Sequence, residues 1–478
     1  MGVTVDRHCI TDITCPPAVC ALRDELKKLK VRYMRDSFPS FGIHGMVSIG
    51  RKVIVFFDDG KDNDPSSQGD SVSKSGIHSR NLTISKKCKQ LYECGWKTFS
   101  FYANDLENNI KECAKSVKNA IEDNGPRYVA IDLFAGIGGI RLGFQNAFEE
   151  KMTVKMVSEN NPYAQMTYRA NFSHPYEIKS DIRDVRLNSV PNYDICLAGF
   201  PCQAFSSAGK KEGFNDETHG TLFYEVVRLC KSKKPMVIFC ENVKGLLSND
   251  RGRTFSIIID NLESMGYKPK CTILNSKDFG VPQNRERIYM VAFRNDIQCD
   301  DFEFPTLFKE RKKLCDIVER EPVDESFYLS QQYLDTLERH KAYHNAKGHG
   351  FGYICRDYLE ENDCSCALMC GGMGRERNML FDPRTSLPDV NPRTKRPYND
   401  KHYRMMTPRE WARLQGFPED FEFPVARTHQ YRQLGNTVTV PVIEAIARQI
   451  RPILDKHLQS GGQRHFRGTD FNPTNDTE

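Results

Sequence analysis

The sequence predicts an α/β fold: a doubly wound sheet with helices on its faces, a smaller second domain, and a separate α/β unit in front. Three observations predict it. Residues 128–134 are a buried apolar strand, followed at once by the glycine turn Ala135-Gly136-Ile137-Gly138-Gly139 and an amphipathic helix carrying Ile140, Leu142, Phe144 and Phe148. Strand, glycine turn and helix form the opening unit of such a sheet, where glycines let a ligand approach the backbone. Further short apolar runs at 154–159, 193–198 and 236–240 each suit one buried strand. Over 294–403 the periodicity weakens and turns multiply, before helical patterning resumes near 407.

Composition bounds the rest. A chain of 478 residues with 39% hydrophobic content suffices for two to four domains and a sizeable core. No apolar run approaches the roughly 18 residues that span a bilayer. Residues 1–7 carry charge without an apolar stretch, so a cytoplasmic protein without a secretory signal is expected. The 17 cysteines then stay reduced; they have no regular paired spacing, and Cys364-Ser365-Cys366 is too tight for the usual zinc pattern, so no metal is expected. Sixty-eight basic and 63 acidic residues leave a net charge of +5, which permits nucleic-acid binding through a local patch without arguing for it.

Residues 1–124 read as an accessory α/β domain. Val19, Leu22, Leu26, Leu29 and Tyr33 make a helical apolar stripe over 18–33, and residues 46–57 read as a hairpin turning at Ile49-Gly50-Arg51. A polar loop at 58–79, a helix at 82–94, a strand at 98–102 and a helix near 105–122 complete the unit. This order, with Arg80-Asn81 and Gly95-Trp96 before the last strand, resembles the very-short-patch-repair endonucleases. That family has a metal-binding Asp before the hairpin; His44 stands there in this chain, and Asp58-Asp59-Gly60-Lys61 replaces the family's His-rich stretch. The expectation is a degenerate relative without nuclease activity, or an unrelated accessory domain. Asn124-Gly125-Pro126 marks its boundary.

Residues 125–300 divide into a ligand half and a chemistry half. Glu159 closes the second strand 23 residues after Gly136, near the spacing of about 20 at which an acid meets a ribose hydroxyl in such folds. The alternative is a solvated strand-end carboxylate. Asp181-Ile182 lies in the loop before the next strand. The glycine turn lacks both the Gly-Lys-Ser/Thr ending of a triphosphate loop and the full dinucleotide spacing, so a smaller nucleoside cofactor is expected.

In the chemistry half, the 193–198 strand stops at Gly199 and Pro201, which sets Cys202 just past a sheet edge. The loop 203–221 follows, with Gly209, Gly213 and Gly220 as flexible points. This suits a nucleophile beneath a lid; a buried structural thiol fits as well, because thiolate reactivity depends on surroundings that sequence hides. A helix over 221–229 and a strand over 236–240 lead to Glu241-Asn242-Val243, on the carboxyl edge where ligands bind in such sheets. Gln283-Asn284-Arg285-Glu286-Arg287 enters the strand 288–293, and the i, i+2 spacing aims both arginines to one side. They suit a carbonyl and a phosphate, or one of them a pairing with Glu241.

Within 294–403, His349-Gly350-Phe351-Gly352-Tyr353 and Gly371-Gly372-Met373-Gly374-Arg375-Glu376-Arg377-Asn378 stand out. Arginine is the usual reader of guanine O6 and N7, so Arg375 and Arg377 either meet a nucleic acid or pair with acids of the fold. Thr407, Pro408 and Glu410 form a helix start with a capping box, and the apolar face of that helix is expected to organise the preceding region. A helix over 440–454 is expected to return to the first sheet, and the polar tail from 459 to be disordered.

Phe134-Ala135-Gly136-Ile137-Gly138-Gly139, Gly199-Phe200-Pro201-Cys202-Gln203, Glu241-Asn242-Val243, Gln283-Asn284-Arg285-Glu286-Arg287 and Gln433-Leu434-Gly435-Asn436-Thr437-Val438, in this order, resemble the DNA cytosine-5 methyltransferases over residues 127–455. The pattern is most similar to the bacterial enzymes acting on CCGG; related readers see CCWGG. The resemblance implies a Rossmann-like methyltransferase domain at 125–300 and 404–458, a target-recognition domain at 301–403 and a flexible tail at 459–478. It implies S-adenosylmethionine as methyl donor, double-stranded DNA as substrate, a cognate restriction endonuclease as functional partner, and a monomer in a bacterial, nucleoid-associated cytoplasm.

By the same resemblance Cys202 adds to cytosine carbon 6, and Glu241, protonated, donates at N3. Arg287 meets O2, and Arg285 orients the thiol and its loop. Phe134, Gly136, Glu159, Asp181, Ile182, Gly199, Pro201, Leu222 and Asn436 line the cofactor. Gln203, Ser206, Arg375 and Arg377 meet DNA, whose cytosine is flipped out under the 203–221 loop. Two rivals stand beside this reading. The long 294–403 region argues against an RNA cytosine-5 methyltransferase of the same fold. The full set of Cys202, Glu241 and Arg287 disfavours a catalytically silent DNA-binding regulator.

Overall fold

The computed structural model describes residues 17–28, 34–38, 43–48, 53–58, 97–102, 110–111, 113–114, 117, 127–172, 177–201, 222–306, 310, 312–359, 364–371 and 373–464. The chain divides into two compact units, Met1–Gly125 and Pro126–Glu478. No helix among the described residues is long and apolar enough to cross a membrane.

In the first unit, helix α1 (Pro17–Lys28) buries Leu22 and Leu26 of the expected stripe. A four-stranded sheet follows in the order β1 (Met34–Phe38), β2 (Ile43–Ser48), β3 (Val53–Asp58) and β4 (Lys97–Tyr102). The first three strands are antiparallel neighbours and β4 joins parallel to β3. The expected hairpin is β2–β3, and His44 lies in β2. Strand β1 is an addition: Met34-Arg35-Asp36-Ser37-Phe38 has no β-branched residue, and its ladder to β2 makes it a strand. The turn at 49–51, the helix at 82–94, Arg80-Asn81 and Gly95-Trp96 lie outside the described residues.

The second unit is built on β5 (Tyr128–Leu133), β6 (Met152–Ser158), β7 (Ile195–Ala198), β8 (Val237–Val243), β9 (Tyr267–Asn275), β10 (Gln283–Asn284) and β11 (Glu286–Arg294). Six of these form one sheet, in the order β6-β5-β7-β8-β11-β9. Strands β6, β5, β7 and β8 are parallel, whereas β11 runs antiparallel to both β8 and β9. Strand β9 has little sequence signature, because Lys268, Pro269 and Lys270 interrupt it; a sheet edge tolerates such a proline.

Alternate strand residues feed two cores, as a sheet covered on both faces requires. Ala130, Leu197, Phe239 and Val291 join the core of helices α2 (Gly139–Phe148) and α3 (Pro162–Asn171). Ile131, Cys196, Ile238 and Met290 join that of α4 (Leu222–Lys233) and α5 (Arg253–Ser264).

Residues 301–405 contribute α6 (Gln331–Ala346), β12 (Cys355–Asp357), β13 (Ser365–Cys366), β14 (Met379–Phe381) and β15 (Tyr403–Met405). Strands β12, β14 and β15 make a small sheet, while β13 leaves it and pairs parallel with β10. The chain returns through α7 (Pro408–Leu414), α8 (Arg427–Asn436) and α9 (Val440–Gln459). The capping box of α7 forms as the sequence indicates, and Glu410 also takes the buried Arg404 guanidinium at 2.7 and 2.8 Å. Helix α9 packs on α2, where a Cβ on Gly143 would come within 2.5 Å of Ile443. It runs five residues beyond the expected end at 454. The first residues of the expected tail are held as well: Arg464 pairs with Asp194 at 3.0 Å, and Arg294 donates to the Gln463 and Arg464 carbonyls.

Candidate active site

The ligand side of the sheet edge starts where β5 gives way to the glycine turn. Phe134 and Gly136 both have φ of 55° and Gly138 has 86°, so the backbone turns through left-handed conformations there. A Cβ on Gly136 would meet nothing within 4 Å, which leaves open space above the turn. Gly138 serves packing instead, since a side chain there would run into Phe172.

Glu159 is the turn's partner. Its Oε2 accepts the Gly136 N–H and its Oε1 the Asn161 N–H, each at 2.8 Å. Burial pushes its carboxyl up and these backbone bonds hold it down. Glu159 is therefore not a merely solvated strand-end group. Asp181 caps the turn at 182–184 and pairs with Arg183 at 2.6 Å, which keeps its carboxyl below the usual range. Ile182 is buried, Gly199 and Leu222 are half-buried, and Pro201 and Asn436 are exposed.

Beneath the turn, Tyr168 donates to the buried Asp132 at 3.1 Å and Arg141 donates to Tyr168 at 3.0 Å. Burial pushes Asp132 up to about 7 against the pull of Arg141.

The chemistry side is the parallel pair β7–β8. Ala198 stands level with Cys240, and a Cβ on Gly199 would lie 4.0 Å from Glu241 Oε2. Asn242 donates to the Phe200 carbonyl at 2.9 Å and so ties the chain leaving β7 to β8. Glu241 thus faces the segment that leads into Cys202. Cys202, Gln203 and Ser206 themselves lie outside the described residues. The sequence reading ended the strand before Glu241; β8 continues through Val243, because β11 pairs with it as far as Arg287.

Arg287 and Arg285 part company. Arg287 Nε lies 3.4 Å from Glu241 Oε1, realising the pairing alternative. Burial pushes the Glu241 carboxyl up, opposed first by Arg287 and then by Arg285. Arg285 is buried, and its guanidinium donates to three carbonyls: Leu368 at 2.7 Å, Thr437 at 2.7 Å and Gly435 at 3.4 Å. Arg375 lies 5.5 Å from the Tyr431 ring centroid and Arg377 5.3 Å from that of Phe351, so both guanidiniums sit over rings. The sequence reading assigned no role to Asn242 or Gln283. Both stood inside motifs singled out for their neighbours, which was the available signal.

A family model for C-5 cytosine-specific DNA methylases matches residues 128–452. The chain belongs to this family. It is 44% identical over 329 residues to the Type II methyltransferase M.HpaII of Haemophilus parainfluenzae, covering 68% of this chain and 89% of that protein. It is 43% identical over 328 residues to M.NlaX of Neisseria lactamica, covering 68% and 96%. With M.MspI of Moraxella sp. it shares 37% identity over 378 residues, covering 77% and 82%. Among solved structures, the Entamoeba histolytica methyltransferase EhMeth matches the fold with a TM-score of 0.53 at 20% identity, covering 70% of this chain and 99% of that one. The S. pombe Dnmt2 methyltransferase matches with 0.51 at 22% identity, covering 68% and 99%. This chain is therefore a DNA cytosine-5 methyltransferase, and membership implies S-adenosylmethionine as its methyl donor.

Proposed function

We propose that this methyltransferase modifies carbon 5 of a cytosine flipped out of a short duplex site containing CCGG, and so protects that DNA from a cognate restriction endonuclease. It acts as a monomer in a bacterial cytoplasm. The observation that carries the reading is Glu241: a carboxyl pushed up by burial, beside one guanidinium, facing the segment that leads to Cys202.

Carbon 5 of cytosine is a poor nucleophile. The Cys202 thiolate adds to carbon 6, which makes carbon 5 enamine-like. Glu241 gives its proton to N3 as charge builds on the ring, and Arg287 meets the O2 carbonyl. Carbon 5 takes the methyl and then loses its hydrogen as a proton to water, N3 returns its proton to Glu241, and the thiolate leaves carbon 6 as the ring double bond re-forms. S-adenosylmethionine, when bound, supplies an electrophilic methyl on a sulfonium. The open space above Gly136 and the fixed Glu159 carboxylate suit its nucleoside end. Phe134, Asp181, Ile182, Gly199, Pro201, Leu222 and Asn436 complete its surroundings. Gln203 and Ser206 on the closing loop, with Arg375 and Arg377, meet the DNA. No step requires a metal, and residues 1–124 are an accessory unit outside the chemistry. The relatives named Type II methyltransferases support the restriction–modification role, and the motif resemblance supports the CCGG target.

Bisulfite sequencing of DNA from cells expressing this chain, beside Cys202→Ala, tests the reading. The expected result is methylation at one cytosine of one short motif, absent with the variant. Unmethylated DNA in both overturns it.

A further inference from the structure

Between the catalytic sheet and the recognition region lies a buried joint that no step of the chemistry uses. It begins at β10. Gln283 pairs with Ser365 and Asn284 with Cys366, so a strand of the recognition region is hydrogen-bonded directly to the stretch that leads into Arg287. The Gln283 side chain is fully buried. Its Oε1 accepts the Leu368 N–H at 3.1 Å, and its Nε2 donates to the Leu414 carbonyl at 2.8 Å. Two residues on, the Arg285 guanidinium holds Leu368 with one nitrogen and Thr437 and Gly435 with another.

The same parts touch a second time. A Cβ on Gly435 would lie 2.6 Å from the Cys370 nitrogen, so the two backbones are in direct contact and only glycine fits. Gly374 is packed as tightly on the Met369 carbonyl. Arg375 is the next residue, and its guanidinium sits over Tyr431, in the helix that ends at Asn436. A closed circuit results: from Arg285 through Leu368 and Gly374 to Arg375, across to Tyr431, and along α8 back to Gly435 and Arg285. Planar guanidinium geometry suits this junction, because one group spans carbonyls from two segments.

We infer that Arg285, assisted by Gln283, is a positioning residue that locks the DNA-reading arginine loop and the cofactor turn at Asn436 to each other and to the Arg287–Glu241 pair. The inference rests on the proposed roles of Arg375 and Asn436. A base pair misread by the loop then loosens the cofactor turn, so that site recognition and cofactor retention are one event. By linkage, DNA and cofactor must strengthen each other's binding by the same factor.

The test is the affinity of the purified full chain for S-adenosylhomocysteine, measured by calorimetry alone, with a duplex carrying the methylated site, and with single-base variants of that site. In the wild type the cognate duplex tightens the ligand by roughly tenfold and altered duplexes do not. In Arg285→Lys, which keeps the charge but not the fork, that factor drops to near one. Discrimination between cognate and altered sites in kcat/KM falls with it. Gly435→Ala, which forces the Cys370 contact apart, behaves alike and serves if Arg285→Lys does not fold. A wild-type affinity indifferent to DNA sequence overturns the joint without any variant. So does an Arg285→Lys enzyme that loses thermal stability or total activity while keeping coupling and discrimination. A wild type that methylates no duplex overturns the underlying functional reading instead.

Discussion

Glu159 lies just past β6 and Glu241 two residues before the end of β8, and burial pushes both carboxyls up, yet their partners differ in kind. Glu159 accepts two backbone N–H groups at 2.8 Å, one of them from the glycine turn. Glu241 faces guanidiniums, the nearer at 3.4 Å. Backbone donors make a carboxylate a fixed acceptor, suited to holding a hydroxyl. A desolvated carboxyl near a cation at longer range retains a proton to give away. On the proposed reading, one residue type serves binding on one flank of the edge and acid chemistry on the other, and the partner decides which.

Glu241→Gln breaks the comparison most sharply. Turnover is expected to fall by about 10²–10⁴, the usual contribution of a positioned acid, with S-adenosylhomocysteine affinity unchanged. The wild-type rate depends on the protonated carboxyl, so it declines as pH rises through the raised Glu241 value, and the variant lacks that limb. A pH–rate profile with the same limb in both would place the acid elsewhere. Next in size is Arg287→Ala, which removes the foremost cation opposing burial. The Glu241 carboxyl rises further, the limb moves to higher pH, and turnover falls roughly tenfold or more with the O2 contact.

Glu159→Gln sharpens the other flank. Its amide oxygen still accepts one backbone N–H, but the charge is gone. Cofactor affinity is expected to weaken about tenfold, near 1.4 kcal/mol, while turnover at saturating cofactor holds. A drop in saturated turnover would mean that Glu159 also acts in the chemistry.

Asp132→Asn is the smallest. The folded carboxyl titrates at about 7, against about 3.9 in the unfolded chain. A raised folded value stabilises fully below the unfolded one, and that contribution is lost as pH rises through about 7. Asparagine keeps an acceptor for Tyr168, so the unfolding free energy from urea melts should fall less steeply for the variant between about pH 4 and 7. Identical slopes would show that Asp132 does not titrate there.

What could be read in the chain was local. The strand, glycine turn and helix at 128–148 were legible because a short, almost continuously buried run stops at a cluster of glycines, and the Thr407–Glu410 box because its bonds span three residues. The spacing of Gly136 and Glu159 suggested a shared ligand, whereas their direct hydrogen bond had no signal in the sequence. Element ends were less legible: β8 and α9 run past their apparent stops because neighbouring elements pair with or pack on them.

The sequence by itself determined the fold class, the order of the motifs and which residue types reach the carboxyl edge, since those follow from periodicity and from glycine and proline stereochemistry. Only the tertiary structure decided how those residues divide their work. Arg285 and Arg287 are two positions apart and equivalent in any strand pattern. One meets carbonyls 83 and 152 positions away, and the other meets Glu241. A hydrogen bond depends on where two groups stand in space, and nothing local in a chain encodes a partner that distant.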